Sequence, residues 1–123
     1  MIRYSSTQAF EKDLRKLSKK FPSLIDDLET AKTFAIELCH IGNINKQAIF
    51  AIPNYCREEI KMYKLKKFAC RSLKGRGVMS GIRIIYAFDV RTQEVCFVEM
   101  YFKGESEMED KGRMREYLDS CSV

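Results

Sequence analysis

The residues that could carry chemistry lie in three short segments in which apolar and polar residues alternate. These segments, 62–69, 81–88 and 95–102, show the two-residue period that is typical of strands. Because successive side chains of a strand point to opposite faces, polar residues from all three segments can share one face of a sheet. The candidates for that face are Lys64, Lys66, Arg83, Glu99 and Tyr101.

This set of side chains suits cleavage of a polynucleotide. Cations bind phosphates and stabilise the charge that develops on phosphorus during cleavage. A carboxylate or a tyrosine can exchange protons with a ribose 2′-hydroxyl or a leaving oxygen. Attack by the 2′-hydroxyl needs no metal, so we expect neither a metal site nor a cofactor. The five cysteines are widely spaced and His40 is the single histidine, which matches no zinc-binding pattern.

Each of these residues also has an ordinary structural interpretation. Lys64 and Lys66 can simply solubilise an exposed sheet face. Arg83 and Glu99 can form a structural ion pair, and Tyr101 can serve core packing. We expect His40, at a helix end, to interact with free backbone carbonyls rather than to act in catalysis.

Basic residues are concentrated in one part of the chain, whose net charge is +5. No acidic residue occurs from Ile60 to Phe88, whereas acids are frequent after Gly104. The pattern predicts a surface for phosphates or for an acidic partner, with a solvated basic strand and loop as the alternative. Further candidates for RNA binding are Lys61, Lys67, Arg71, Lys74, Arg76 and Lys103.

The element order predicts one α+β domain over residues 1–123. A strand at 2–4 precedes two amphipathic helices, of which the first begins with a Ser5–Gln8 capping box. This helical hairpin is expected to pack on a mainly antiparallel sheet of about four strands, followed by a helix at 108–118. Residues 41–60 are expected to form an irregular connection or insertion that carries at most a short strand.

Strict alternation also predicts which side chains of the last strand share a face of the sheet. Met100 and Phe102 should share a face with Val98, while Glu99 and Tyr101 should lie on the opposite face.

The N-terminus lacks the unbroken apolar stretch of a secretory signal, and no segment approaches the length of a membrane span. We therefore expect a cytoplasmic protein without a membrane partner.

The chain resembles the RelE/ParE toxin superfamily in three stretches, 63–68, 80–86 and 99–103. The middle stretch, with its Gly-x-Arg followed by aliphatic residues and Tyr86, is the most specific. The resemblance implies a toxin of a type II toxin–antitoxin system that cuts mRNA on the ribosome and is neutralised by a cognate antitoxin. Lys64 and Lys66 match the paired strand lysines of RelE, and Arg83 matches the arginine of the Gly-x-Arg motif.

The chain departs from that family near its C-terminus. Gly104 and Asp110 stand near the places of an arginine and a tyrosine in RelE, and no histidine follows His40. The acid of the reaction that the resemblance implies is therefore either missing or supplied by another group, such as Tyr101. Two alternatives remain open at this point: a ParE-like inhibitor of DNA gyrase, and a non-toxic RelE-like binding domain.

Overall fold

The computed structural model describes residues 1–121, which fold around one five-stranded sheet. In chain order its elements are β1 (Arg3–Ser6), α1 (Gln8–Lys20), α2 (Leu24–Ala31), a π-helical segment (Lys32–Glu37), α3 (Leu38–His40), β2 (Ile49–Cys56), β3 (Ile60–Leu65), β4 (Ile82–Asp89), β5 (Glu94–Phe102) and α4 (Lys111–Ser120). The strand order is β1-β5-β4-β3-β2, with β1 parallel to β5 and the other pairs antiparallel. The expected α+β architecture is confirmed, with one strand more than the expected four.

The helical hairpin packs on one face of the sheet. Helix α1 places Phe10 and Leu17 in this core, and α2 adds Leu24 and Leu28. The N-terminal cap of α1 is Thr7, whose hydroxyl accepts a hydrogen bond of 3.1 Å from the Phe10 amide. The expected Ser5–Gln8 capping box is therefore wrong, because β1 continues through Ser6 and delays the start of the helix.

The opposite face of the sheet has a smaller core of its own, beneath α4. Met114 and Leu118 of α4 are buried against Met62, Ile85 and Val98 of the sheet. The face that carries the candidate residues is thus only partly polar. A helix covers its apolar part and leaves the polar side chains at one end. Within residues 1–121, no helix is both long and apolar enough to cross a membrane.

The region expected to be irregular, 41–60, contains a complete edge strand. Strand β2 pairs with β3 from Ile49 opposite Leu65 to Cys56 opposite Lys61, with an irregularity between Ala51 and Cys56. The irregularity coincides with Pro53 and with Asn54, whose φ is 71°. These two residues suggested a loop in the sequence. An edge strand tolerates them, because its outer backbone groups need no partner.

A bulge in β5 overturns the face assignment made by strict alternation. Ile85 lies opposite Glu99 but Tyr86 lies opposite Phe97, so Val98 is the extra residue. Phe97 and Met100 consequently face the helical hairpin, whereas Val98 faces α4. Glu99 and Tyr101 remain on the α4 face, as expected, but the residues beside them differ.

The polar groups left by the bulge are bonded by one partly buried ion pair between α1 and α4. The Asp13 carboxylate accepts from the Met100 amide at 3.1 Å and from Arg113 at 2.7 Å. Arg113 also donates to the Val98 carbonyl at 2.9 Å. This arrangement fixes α1, β5 and α4 relative to one another. The strand end that carries Tyr101 is therefore firmly placed.

His40 lies in an aromatic cluster rather than at free helix carbonyls, so the expected capping role is wrong. Its ring stacks on Phe88 at 4.3 Å and meets Tyr63 edge-on at 4.8 Å. Its Nε2 atom lies 2.7 Å from the hydroxyl of Tyr86, a side chain with no exposed surface. Burial lowers the pKa of His40 from 6.5 to about 4. The imidazole is therefore neutral at physiological pH, which lets it pack among aromatic rings.

We expect the burial of His40 to make stability depend on pH. Between pH 6.5 and about 4 the unfolded chain binds a proton at His40 that the folded chain does not. The free energy of unfolding should therefore fall as the pH is lowered through this range, and His40 should contribute no such dependence above it. After a discount for the exposed part of the ring, the loss is on the order of 2 kcal/mol. Urea unfolding at about pH 7.5 and pH 4.5 measures it. His40→Gln should remove that part of the pH dependence, and an unchanged dependence in the variant would contradict the assignment.

Candidate active site

Three adjacent strands bring the central candidates together on the α4 face of the sheet, where Tyr101 is buried with the core beneath α4 and Arg83 is partly exposed. Arg83 of β4 lies directly opposite Tyr101 of β5 in the antiparallel register. Lys64 of β3 lies opposite Ile85, two residues along β4 from Arg83. All three side chains project from the face that also carries α4. Alternation in the sequence assigns these side chains to one face but gives no distances between them. The strand register shows that the three residues are neighbours.

Glu109, which the sequence analysis did not single out, completes the cluster. Its Oε1 atom lies 2.5 Å from Nζ of Lys64 and accepts a hydrogen bond of 3.2 Å from the Tyr101 hydroxyl. The side chain of Glu109 is only 9% exposed and that of Lys64 is 20% exposed. A carboxylate, an ammonium and a phenol therefore meet in a partly desolvated site, where their interactions are stronger than in open water.

The protonation states of this cluster follow from its contacts. Burial would raise the pKa of Glu109, but hydrogen bonds from Lys64 and Tyr101 outweigh that effect and hold the pKa below its usual value. Burial, together with the neighbouring Glu109 charge, raises the pKa of Tyr101 far above its usual value, and Arg83 only partly offsets this. At neutral pH the carboxylate is charged and the phenol keeps its proton.

Arg83 presents a guanidinium that is not neutralised by a carboxylate. Its Nη1 atom donates to the backbone carbonyl of Lys66 at 2.8 Å, which orients the side chain. The salt bridges within residues 1–121 include none to Arg83. The structural ion pair with Glu99, considered from the sequence, is not formed. An oriented guanidinium with free donors is suited to binding a phosphate.

Glu99 has a different environment from the other candidates. It is buried, and its Oε1 atom accepts a hydrogen bond of 2.8 Å from the backbone amide of Asp110. Burial raises its pKa, although this hydrogen bond and the charge of Arg113 act in the opposite direction. Glu99 therefore holds the chain immediately before α4 and so positions the neighbouring Glu109.

Lys66 lies just beyond the end of β3, because that strand ends at Leu65 rather than continuing to Ala69 as expected. Its side chain is exposed, and its Nζ atom lies over the ring of Phe50 on β2, 5.1 Å from the centroid. Its backbone carbonyl is the acceptor for Arg83. Lys66 is thus placed at the rim of the site, where it can add charge without direct contact with Glu109.

The structure distributes the other basic candidates over a wide surface. Lys61 and Lys67 donate to backbone carbonyls, those of Arg57 and Lys46 respectively. Arg71 forms a salt bridge of 3.0 Å with Asp27 of α2, which is buried. Lys74 and Arg76 lie in the connection between β3 and β4. Lys103 follows the end of β5. Because of its salt bridge to Asp27, the Arg71 side chain is bound to the helical hairpin.

One signal in the sequence could have pointed to Glu109. The acidic segment after Gly104 is the complement of the acid-free region from Ile60 to Phe88, and Glu109 is one of its members. Charge complementarity predicts contact between the two regions. It does not say which of the acids makes that contact, because Glu105 instead pairs with Lys20 on α1.

Comparisons with known proteins bear on the fold. No protein-family model matches the chain, and no curated protein matches it. Among solved structures, the chain is similar to the archaeal RelE-RelB complex from Pyrococcus horikoshii OT3, with 9% identity and a TM-score of 0.50. The alignment covers 85% of this chain and 98% of the matched chain. The likeness is one of fold: the chain has a RelE-like fold, as the three sequence stretches indicated.

Proposed function

We propose that this chain is the toxin of a type II toxin–antitoxin pair and that it cleaves mRNA on the ribosome without a metal ion. The observation that carries the proposal is the convergence of Arg83, Lys64, Tyr101 and Glu109 on adjacent elements of one sheet face. The RelE-like fold supports the class of protein, since the similar structure is that of a RelE-RelB complex. An antitoxin is the partner that this class requires, and the cytoplasm is where both would meet their target.

In the proposed reaction, Arg83 and Lys64 bind the phosphate at the cleaved bond. The 2′-oxygen forms a new bond to phosphorus while the bond to the 5′-oxygen breaks, which leaves a 2′,3′-cyclic phosphate. Negative charge builds up on the phosphate oxygens as this happens. A guanidinium oriented by a backbone carbonyl stabilises that charge without having to reorganise. Lys66 adds attraction for the neighbouring phosphates from the rim of the site.

The Tyr101–Glu109 pair can move the two protons. Glu109 is ionised and accepts the proton of the 2′-hydroxyl, while Tyr101 is protonated and donates to the leaving 5′-oxygen. The hydrogen bond between Tyr101 and Glu109 then allows the proton to return to the tyrosine. This pair takes the place of the C-terminal residues of RelE that the chain does not have. It also assigns proton transfer to Glu109 rather than to Glu99, which is occupied by the Asp110 amide.

The test of this chemistry is cleavage of mRNA on programmed ribosomes by the purified protein. Two messages are compared, one of them with a single 2′-deoxynucleotide at the mapped cut. We expect the all-ribose message to be cut and to carry a 2′,3′-cyclic phosphate, and the deoxy message to resist. Equal cutting of both would contradict attack by the 2′-hydroxyl. An absence of cutting, together with inhibition of DNA gyrase, would replace the proposal with the ParE-like alternative.

A further inference from the structure

A group of exposed apolar side chains lies away from the sheet-face site. Phe34, in the middle of the π-helical segment, is 71% exposed, and Ile44 and Val78 are also exposed. Val78 is distant in the sequence from the other two, yet all three side chains line the same cavity together with Leu38. We call this cavity the Phe34 groove. Exposed apolar side chains gathered around one cavity form a candidate contact surface for another molecule.

The rim of the Phe34 groove is basic. Lys46 and Lys67 line it, and no acidic side chain of the described residues does. The Nζ atom of Lys67 donates to the backbone carbonyl of Lys46 at 3.0 Å, which holds the two residues together on one side of the groove. An apolar floor with a positive rim is complementary to a partner that is apolar on one side and acidic at its edges.

Both walls of the groove are held in place by side-chain hydrogen bonds. On one wall, Asn45 accepts from the amides of Ala48 and Ile49 at 3.0 and 3.1 Å and donates to the Ile49 carbonyl at 2.7 Å. On the other wall, the Tyr4 hydroxyl contacts both ends of the π-helical segment, at the Lys32 carbonyl and the Glu37 carboxylate. The groove is thus preformed, which lowers the entropic cost of binding.

The size of the Phe34 groove favours a peptide over a small molecule. Its volume is about 260 Å³, below the roughly 300–1,000 Å³ that is usual for sites that enclose a small ligand. A cavity of this size accepts a few aliphatic side chains. An amphipathic helix presents such side chains at intervals of three and four residues and keeps its acidic residues at the edges, within reach of Lys46 and Lys67.

We infer that the Phe34 groove is a docking site for an acidic amphipathic helix of a protein partner. The groove lies on the side of the helical hairpin, whereas Arg83 and Glu109 lie on the α4 side of the sheet. A partner helix in the groove would therefore leave the sheet-face site open to RNA. The inference rests on the proposed function only in that a neutralising antitoxin would be one source of such a helix.

A labelled synthetic helix tests this inference directly. The probe is a peptide of about 18 residues with leucine at helical spacing on one side and glutamate on the other, and its counterpart has lysine in place of glutamate. Fluorescence anisotropy should show that the acidic peptide binds the full chain at least about tenfold more tightly than the basic one. Phe34→Ser should weaken that binding at least about tenfold, because it removes the main apolar contact. Ile25→Ser is the matched control, since Ile25 is 56% exposed on α2 but does not line the groove.

Any of the following peptide-binding results would overturn the inference: no binding of the acidic peptide, equal binding of both peptides, no effect of Phe34→Ser, or an equal effect of the control. Sedimentation of the wild type and of Phe34→Ser is measured in parallel. Self-association that the substitution abolishes would mean that the groove binds a second copy of the chain instead. RNA cleavage by Phe34→Ser should equal that of the wild type. A wild type that binds the acidic peptide but cuts no RNA would leave the groove intact and remove only the proposed function.

Discussion

Replacing Arg83 with alanine is expected to lower the rate of mRNA cleavage by about 10²–10³-fold while the protein remains folded. The side chain stabilises charge on the phosphate only as the reaction proceeds, so its loss should appear in kcat more than in the affinity for ribosomes. The fold should tolerate the change, because the Arg83 side chain is partly exposed and donates its hydrogen bond to a backbone carbonyl, that of Lys66. Single-turnover cleavage on programmed ribosomes and thermal unfolding measure the two effects.

The matched control for Arg83→Ala is Arg15→Ala, which removes the same charge from an exposed position of α1, on the helical-hairpin side of the sheet. We expect this control to cleave at nearly the wild-type rate. Arg83→Lys should recover only part of the lost rate, since an ammonium keeps the charge but not the planar fork of donors. If Arg83→Ala cleaves as fast as Arg15→Ala at equal abundance, the site is not where we place it.

Glu109→Gln is expected to change binding and cleavage in opposite directions. Removing the carboxylate charge releases Lys64 from its 2.5 Å ion pair, so RNA should bind more tightly, by about 1 kcal/mol or roughly fivefold. The same substitution removes the group that accepts the 2′-hydroxyl proton, so the chemical step should slow by about 10²-fold or more. Filter binding of an uncleavable 2′-deoxy message and single-turnover cleavage of the normal message separate the two quantities.

The control for Glu109→Gln is Glu107→Gln, an equal change of charge at an exposed position in the same acidic segment. It should alter neither binding nor cleavage by more than about twofold, because exposed charges are screened. If Glu109→Gln increases both binding and cleavage, Glu109 only competes with the phosphate for Lys64. The proton acceptor would then have to be another group.

The elements of this fold were predictable because each has a strong local pattern. The hairpin helices have apolar residues at helical spacing, Phe10 and Leu17 in α1 and Leu24 and Leu28 in α2, and all four are buried. Strand β4 alternates Ile82, Arg83 and Ile84, so its face assignment followed directly from the sequence. In these elements the structure agrees with the periodicity of the sequence.

The errors arise where a tertiary contact overrides the local pattern. The bulge at Val98 shifts the alternation of β5. It is stabilised by Asp13 and Arg113, two residues that are far apart in the sequence. Strand β2 was obscured by Pro53 and Asn54, which an edge strand accepts. No local pattern could show that His40 would stack on Phe88, because the two residues lie on separate elements, α3 and β4.

The candidate site was predictable in part for the same reason. Lys64, Arg83 and Tyr101 come from segments whose alternation predicted strands, and the structure brings them to one face. Glu109 comes from the connection between β5 and α4, whose path depends on the Asp110 amide bonding to Glu99. A residue in such a connection carries no periodic signal, so its position in the site is known only from the structure.

The most direct test of the proposed function is induced expression of the wild-type chain in a bacterial host, beside the Arg83→Ala variant at equal abundance. Growth, incorporation of radiolabelled methionine and the 5′ ends of mRNA are followed together. We predict that the wild type rapidly stops translation and produces new cuts within translated messages, and that the variant does neither. Normal growth and intact messages at clear expression of the wild type would contradict the proposal that this RelE-like fold is an active endoribonuclease toxin.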